Sequence, residues 1–343
     1  MSELRKDPIV DRWVIIATER SSLPSDFREA RPVQQSAFCP FCPGHEDRTP
    51  PEIAQYGRPP EAPANSAGWQ VRVVPNKFPV LTIDGVTAPQ GLGIFDMMRG
   101  VGAHEVIIEN PQHSWDPATA TANELKWVLQ AYSDRIKDLR QDPRFRFIMV
   151  FRNTGAAAGA TIEHPHSQVI ALPITPKPVK GQLESARDHY NRKSRCIYCD
   201  ILRQEEYMKH RIVQTTDDFV VMCPYASRFP FEMQILPRHH LHDFTQIDDS
   251  QKNALADILS RSLRRIKNLL DSPAYNMTLH TAPTMHPRPG RPHYWGTIEQ
   301  DYHWHIDILP RLARVAGFEW ANNLYINPMT PENAANFLRN VEM

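Results

Sequence analysis

Residues 163–173 read EHPHSQVIALP: two histidines flank a proline, and a serine, a glutamine and an apolar run follow. In an extended segment residues i and i+2 share a face, so His164 and His166 stand side by side. One imidazole can be held by a metal while the other stays free. A neutral imidazole near its reference pKa of roughly 6.5 is a good nucleophile at neutral pH, and its phosphorylated form passes the group on. The pattern suits a ping-pong transfer of a phosphoryl or nucleotidyl group, with Pro165 limiting the backbone. The plainer readings are that both histidines ligate metal, or that both are buried and hydrogen-bonded.

The motif has an echo in His303-Trp-His305, which opens HWHIDILP (303–310). The first half carries Cys39-Pro-Phe-Cys42, a PNKFP segment, a strand, a helix, a strand and then His-x-His. The second carries Cys196-Ile-Tyr-Cys199, a FPFE segment and the same succession. The repetition predicts a duplicated α+β unit with a boundary near 175–195, giving domains 1–178 and 179–343. Strands are expected at 13–17, 69–76, 105–109, 146–153 and 167–173, then at 218–224, 231–237, 275–281 and 303–310. Apolar residues at i, i+3, i+4 and i+7 spacing predict helices over 123–140 and about 250–270.

Composition bounds the function. A chain of 343 residues exceeds one ordinary core, and 41% hydrophobic with 23% charged residues is a globular balance. Lysine plus arginine and aspartate plus glutamate both total 39, which argues against broad affinity for nucleic acid or an acidic membrane. No signal peptide or membrane-spanning run is read, so the expectation is a cytoplasmic protein with no membrane partner. There thiols stay reduced, and the cysteine pairs are expected to bind metal rather than each other. Redox chemistry is disfavoured on the expectation that neither pair opens a helix after a strand. Cys223, in an apolar strand, reads as core.

Two cysteines at CxxC spacing reach one tetrahedral zinc, and histidines elsewhere complete it. His45, His104, His113 and His164 are candidates for the first site; His240 and His303 are candidates for the second. The small-residue segment 153–161, NTGAAAGAT, lets backbone N–H groups approach phosphate oxygens, although it matches neither a Walker nor a Rossmann pattern.

Taken together, NTGAAAGATIEHPHSQVIALP, CPFC, VRVVPNKFP, HEVIIENPQHS, CIYC, YASRFPFE, HWHIDILP and GFEWANNLYINP resemble the galactose-1-phosphate uridylyltransferase family of the histidine-triad superfamily, from about residue 7 to 340. The resemblance implies a homodimer of duplicated histidine-triad-like halves, antiparallel sheets with flanking helices. It implies uridylylation of His166 by UDP-glucose, departure of glucose 1-phosphate, and transfer to galactose 1-phosphate. Gln168 would hold the non-bridging phosphate oxygens, standing where hydrolytic relatives carry a third histidine. Cys39, Cys42, His113 and His164 match the first zinc site. For the second, Cys196, Cys199, His240 and His303 are favoured over the alternative of Glu184, His280, His303 and His305, giving two Zn2+ per chain. Arg20, Asn76, Asn153 and Thr161 fall at nucleotide and phosphate contacts, and Phe318 and Glu319 at hexose contacts across the dimer.

The chain departs from the family pattern at Leu23, where an arginine is common, at Thr161 for serine, and at Trp320-Ala-Asn-Asn beside the sugar-contacting stretch. The alternatives are an ADP-sugar phosphorylase of the same superfamily, against which Pro165 in place of serine speaks, and a non-catalytic zinc-dependent nucleotide-binding protein.

Overall fold

The computed structural model describes residues 2–17, 23–28, 38–288, 290 and 294–343. Its frame is one ten-stranded antiparallel sheet. The first half supplies β1 (Ala54–Tyr56), β2 (Val71–Pro75), β3 (Ala103–Ile108), β4 (Phe147–Thr154) and β5 (His166–Leu172). The second half supplies β6 (Ile212–Thr215), β7 (Phe219–Met222), β8 (Met233–Pro237), β9 (Tyr275–His280) and β10 (His305–Pro310).

The order across the sheet is β1-β2-β3-β5-β4-β9-β10-β8-β7-β6, which reads the same from either edge when halves are exchanged. The expected α+β class with antiparallel pairing and flanking helices is what the chain forms. The halves share one sheet instead of closing two, because β4 and β9 pair at the centre, Asn153 facing Asn276 and Arg152 facing Met277.

Alternation along the strands divides the sheet's two faces. On β5, Val169 and Ala171 belong to the core formed with helices α1 (Ala122–Leu139) and α4 (Asp249–Leu270). The α1 helix starts where Thr121 accepts from the Glu124 N–H and Glu124 returns to the Thr121 N–H, a reciprocal cap. Its apolar face, Leu125, Val128, Leu129 and Ile136, is buried as the spacing predicts, against Leu255, Ile258 and Leu259 of α4. On the opposite face Trp69, Val74, Val106 and Ile108 pack with Cys39 and Phe41.

Five helices among the described residues escape the sequence pattern, the two longest of them α2 (Lys177–Lys193) and α3 (Ile197–Met208). Only Val179, Leu183 and Ala186 of α2 are buried, too sparse a stripe to stand out. Cys196 is the residue at which α3 begins, yet the second pair does not open a helix after a strand, because α3 follows α2. Cys223 is fully buried, as a core residue is. A smaller sheet joins the ends of the chain, with Tyr325–Asn327 parallel to Trp13–Ile16.

Candidate active site and metal centres

His166 begins β5 on the face away from α1 and α4, and lines a cavity of about 450 Å³. Its Nδ1–H donates to the carbonyl of His164 at 2.8 Å. That bond settles the tautomer: Nε2 keeps its lone pair, the state a nucleophile needs. Burial pulls the imidazole pKa below its ordinary value, and Arg152 adds to the effect, so the ring is neutral at neutral pH.

Asn153, Thr161 and the loop 155–160 line the same cavity, and Arg311 and Leu312 enter it from the second half. Gly155 has φ +80°, and a Cβ there would stand 2.9 Å from the Ala274 side chain, so this turn requires glycine. The loop narrows one expectation. The N–H groups of Ala158, Gly159 and Ala160 donate to Gly155 and Ala156 carbonyls, so those three are spent within the loop. The small residues permit close approach, and the N–H groups of Ala156 and Ala157, which line the cavity at the start of the turn, have no backbone partner among the described residues.

Gln168 follows His166 by two residues on the same face. Its Oε1 lies 2.7 Å from His104 Nε2, while His104 Nδ1 accepts from the Val80 N–H at 3.3 Å. With Nδ1 accepting, the proton sits on Nε2 and is given to Gln168, which frees the glutamine NH2 for a ligand. Asn76 Nδ2, a second donor 3.0 Å from the same ring nitrogen, is then next to it without a bond to it. His104, a candidate for the first metal set, therefore belongs to the Asn76–Gln168 row. His45 is also outside the set, its Nδ1 bonded to the Cys39 carbonyl at 2.7 Å.

Behind His166, Ser167 points the other way. Its hydroxyl and that of Tyr132 meet at 2.5 Å beside Glu109 Oε1, so that one of the two protons bridges the hydroxyls and the other is given to Glu109, which forms an ion pair with Arg152. Glu109 and Arg152 are buried, with side chains 2% and 6% exposed. Arg152→Met should cost about 3–5 kcal/mol, because it strands the Glu109 carboxylate in the core. Adding Glu109→Gln should recover most of it. Equilibrium unfolding in denaturant checks this, and a single variant as stable as the parent would contradict the pairing.

Cys39, Cys42, His113 and His164 offer four donor atoms within 4.8 Å of one another. Cys42 Sγ is 3.5 Å from His113 Nδ1 and 3.6 Å from His164 Nδ1. The other nitrogen of His164 donates to the Asn110 carbonyl at 2.8 Å, which turns Nδ1 towards the thiols. Burial lowers the His164 pKa to about 4, leaving the neutral ring that ligation requires.

Cys196, Cys199, His240 and His303 repeat the arrangement, again within 4.8 Å. His303 Nε2–H donates to Pro237 and His240 Nε2–H to Glu299, both carbonyls, at 2.8 and 3.0 Å. The two histidine pairs even share their edge-to-face packing, centroids 5.3 and 5.4 Å apart at 84° and 83°. Two thiols and two oriented imidazoles fit a tetrahedral zinc in each case.

The alternative set does not assemble. Glu184 bonds Tyr294, and His303 stands with the cysteines, while His280 and His305 group with Asp307. His305 is the counterpart of His166, its Nδ1–H given to the His303 carbonyl at 3.0 Å. It is 1% exposed and stacked on His280 at 4.5 Å, and Asp307 occupies the place of Gln168. The half that opens its histidine to a cavity is the first.

Arg20 lies outside the described residues. Phe318 and Glu319 sit on a short exposed helix, Gly317–Asn322, and do not line the His166 cavity; Glu319 accepts from the Ala316 N–H at 2.6 Å. Leu23 is 60% exposed and Trp320 77% exposed. Among the described residues no helix is long and apolar enough to cross a membrane.

Two family models cover the chain: "Galactose-1-phosphate uridyl transferase, N-terminal domain" matches residues 1–176 and the corresponding C-terminal domain matches 182–342. ADP-glucose phosphorylase of Arabidopsis thaliana is 33% identical over 99% of this chain and 93% of its own length. Galactose-1-phosphate uridylyltransferase of Thermotoga maritima is 26% identical over 100% and 99%. Among solved structures, an Arabidopsis thaliana ADP-glucose phosphorylase with bound ADP-glucose has a TM-score of 0.82 at 32% identity, with all of both chains covered. A uridylyltransferase has 0.73 at 26%, with 99% and 97% covered.

Proposed function

Because this chain belongs to the galactose-1-phosphate uridyl transferase family, and is a nucleotidyltransferase, we propose that it moves a nucleotidyl group from a nucleoside diphosphate sugar through a covalent adduct on His166. The observation that carries this reading is the Nδ1–H bond from His166 to the His164 carbonyl, which leaves Nε2 as the free nucleophile beside the cavity.

In the first step the Nε2 lone pair forms a bond to the α-phosphorus, the bond from that phosphorus to the bridging oxygen breaks, and the sugar 1-phosphate leaves with the electron pair. In the second, an oxygen of a phosphate acceptor attacks the same phosphorus and the N–P bond breaks, restoring His166. Gln168 and Asn153 donate amide hydrogens to the phosphate oxygens. The Gln168 amide, where hydrolytic relatives carry histidine, favours transfer over attack by water.

For the donor we put ADP-glucose first, with inorganic phosphate as acceptor. Likeness to the plant phosphorylase, greater in both sequence and fold than to the uridylyltransferases cited, reverses the order that the motifs suggested. Leu23 in place of a second arginine, and Trp320 beside the sugar-contacting stretch, fit a site that takes a small acceptor. The second reading is UDP-glucose with galactose 1-phosphate, and Pro165 favours it.

The same proposal places the nucleophile and the first metal set in residues 1–178 and the second set in 179–343. It takes both sets as zinc sites that brace loops and supply no reacting group. It also takes the protein as a cytoplasmic homodimer whose Arg20, Phe318 and Glu319 serve the neighbouring subunit. Intact mass after brief incubation with ADP-glucose or UDP-glucose, quenched in base, tests the central step. One added AMP supports the first donor and one added UMP the second. No adduct from either, on protein carrying its metal, would return the non-catalytic binding protein to first place.

A further inference from the structure

The cavity leaves one question open: why Asn153 presents hydrogen-bond donors to it and not its acceptor. A side-chain amide has nearly identical ends, and only its neighbours decide which one faces a ligand.

Asn153 lies on β4 directly opposite Asn276 of β9, at the seam of the two halves. Asn276 Nδ2 makes two bonds of 2.8 Å, one to the backbone carbonyl of Ala158 and one to Asn153 Oδ1. A backbone carbonyl only accepts, so the Asn276 atom facing it is the amide nitrogen. The second hydrogen of that nitrogen then meets Asn153, whose facing atom must be the oxygen. Asn153 Nδ2 is left near Gly159 and meets no acceptor among the described residues.

We infer that Asn276, a residue of the second half, is a positioning residue for the nucleotide phosphates: it orients the Asn153 amide so that both N–H donors face the cavity, and ties the 155–160 loop at the same point. The inference rests on the reading of this cavity as the phosphate site. The chain of forced choices runs from one carbonyl to the ligand, so a change of a single atom type at 276 should invert it.

Asn276→Asp makes that change at constant shape. A carboxylate oxygen then faces the Ala158 carbonyl and Asn153 Oδ1, and relief comes when Asn153 turns its oxygen to the cavity, towards an anionic ligand. The half-saturating concentration for adduct formation with ADP-glucose, and with UDP-glucose, should rise on the order of tenfold to a hundredfold. In an Asn153→Ala background the same substitution should add at most a few-fold, the share of the lost Ala158 bond, whereas a merely structural role would give the full effect in both backgrounds. Asn276→Ser keeps one donor and should fall between parent and aspartate; it replaces the aspartate in the cycle if that variant does not fold.

Equal effects with and without the Asn153 side chain, or no change in half-saturation, would overturn the positioning role. Were the parent protein to bind neither nucleotide sugar by calorimetry and form no adduct, the underlying reading would fall instead, and the two failures are distinct.

Discussion

His166→Ala is expected to lose the covalent adduct entirely and to slow turnover by at least about a thousandfold, while nucleotide-sugar affinity changes only a few-fold. The asymmetry follows from how the site is divided. Removing the imidazole removes the atom that attacks phosphorus, but Asn153, Gln168 and the small-residue loop belong to other positions and still meet the phosphates. The neighbouring fold has little reason to yield, since Nδ1 of His166 bonds only the His164 carbonyl. Intact mass reads the adduct and calorimetry the affinity. An adduct that survives in the alanine variant would place the nucleophile elsewhere, and His305 is no substitute, being closed off beneath His280.

The second large effect is expected at the metal sets. Cys42→Ala should lower metal content by one equivalent per chain and stability by more than about 3 kcal/mol, because a structural zinc contributes its binding free energy to folding. It should also depress adduct formation. His164 Nδ1 faces the Cys42 thiol, and the His164 carbonyl is what holds the nucleophile's tautomer, so loosening the first slackens the second. Cys199→Ala should remove one equivalent too, with a smaller effect on chemistry, since the histidine it leaves unsupported precedes His305 and not His166. Elemental analysis with thermal unfolding of both variants reads the comparison. Parent protein carrying no metal, and unchanged by either substitution, would overturn the assignment.

Much of this was legible in the chain because the landmarks are local. Cysteines three apart, histidines two apart and an amphipathic helix period survive as patterns whatever the tertiary fold does, and each appears twice. The α2 helix was not legible, because it buries three small apolar side chains and shows solvent the rest. Nor were the partners of His104 and Asn276. His104 looked like a spare metal ligand, and only the pairing of β3 with β5 sets it beside Gln168. Asn276 lies 123 residues from the side chain it orients, in a strand whose sequence carries no motif. Such residues have meaning only through register, which a lone sequence does not print. Which of the loop's own N–H groups are spent was hidden for a related reason: whether a backbone donor is free depends on the turn it makes.

The seam between β4 and β9 has a consequence for how the protein comes apart. Strand order repeats about that seam, so a five-stranded unit alone would present a second open edge of unpaired N–H and C=O groups, and a second copy would close it. The chain is thus built as a pair of subunits made permanent by a covalent link. Within that pair only one of the two corresponding histidines, His166, borders a cavity, and the other, His305, is walled in beneath His280. The second half is thus a foundation for the first, since without β9 the strand beside that of His166 would be left bare along one edge.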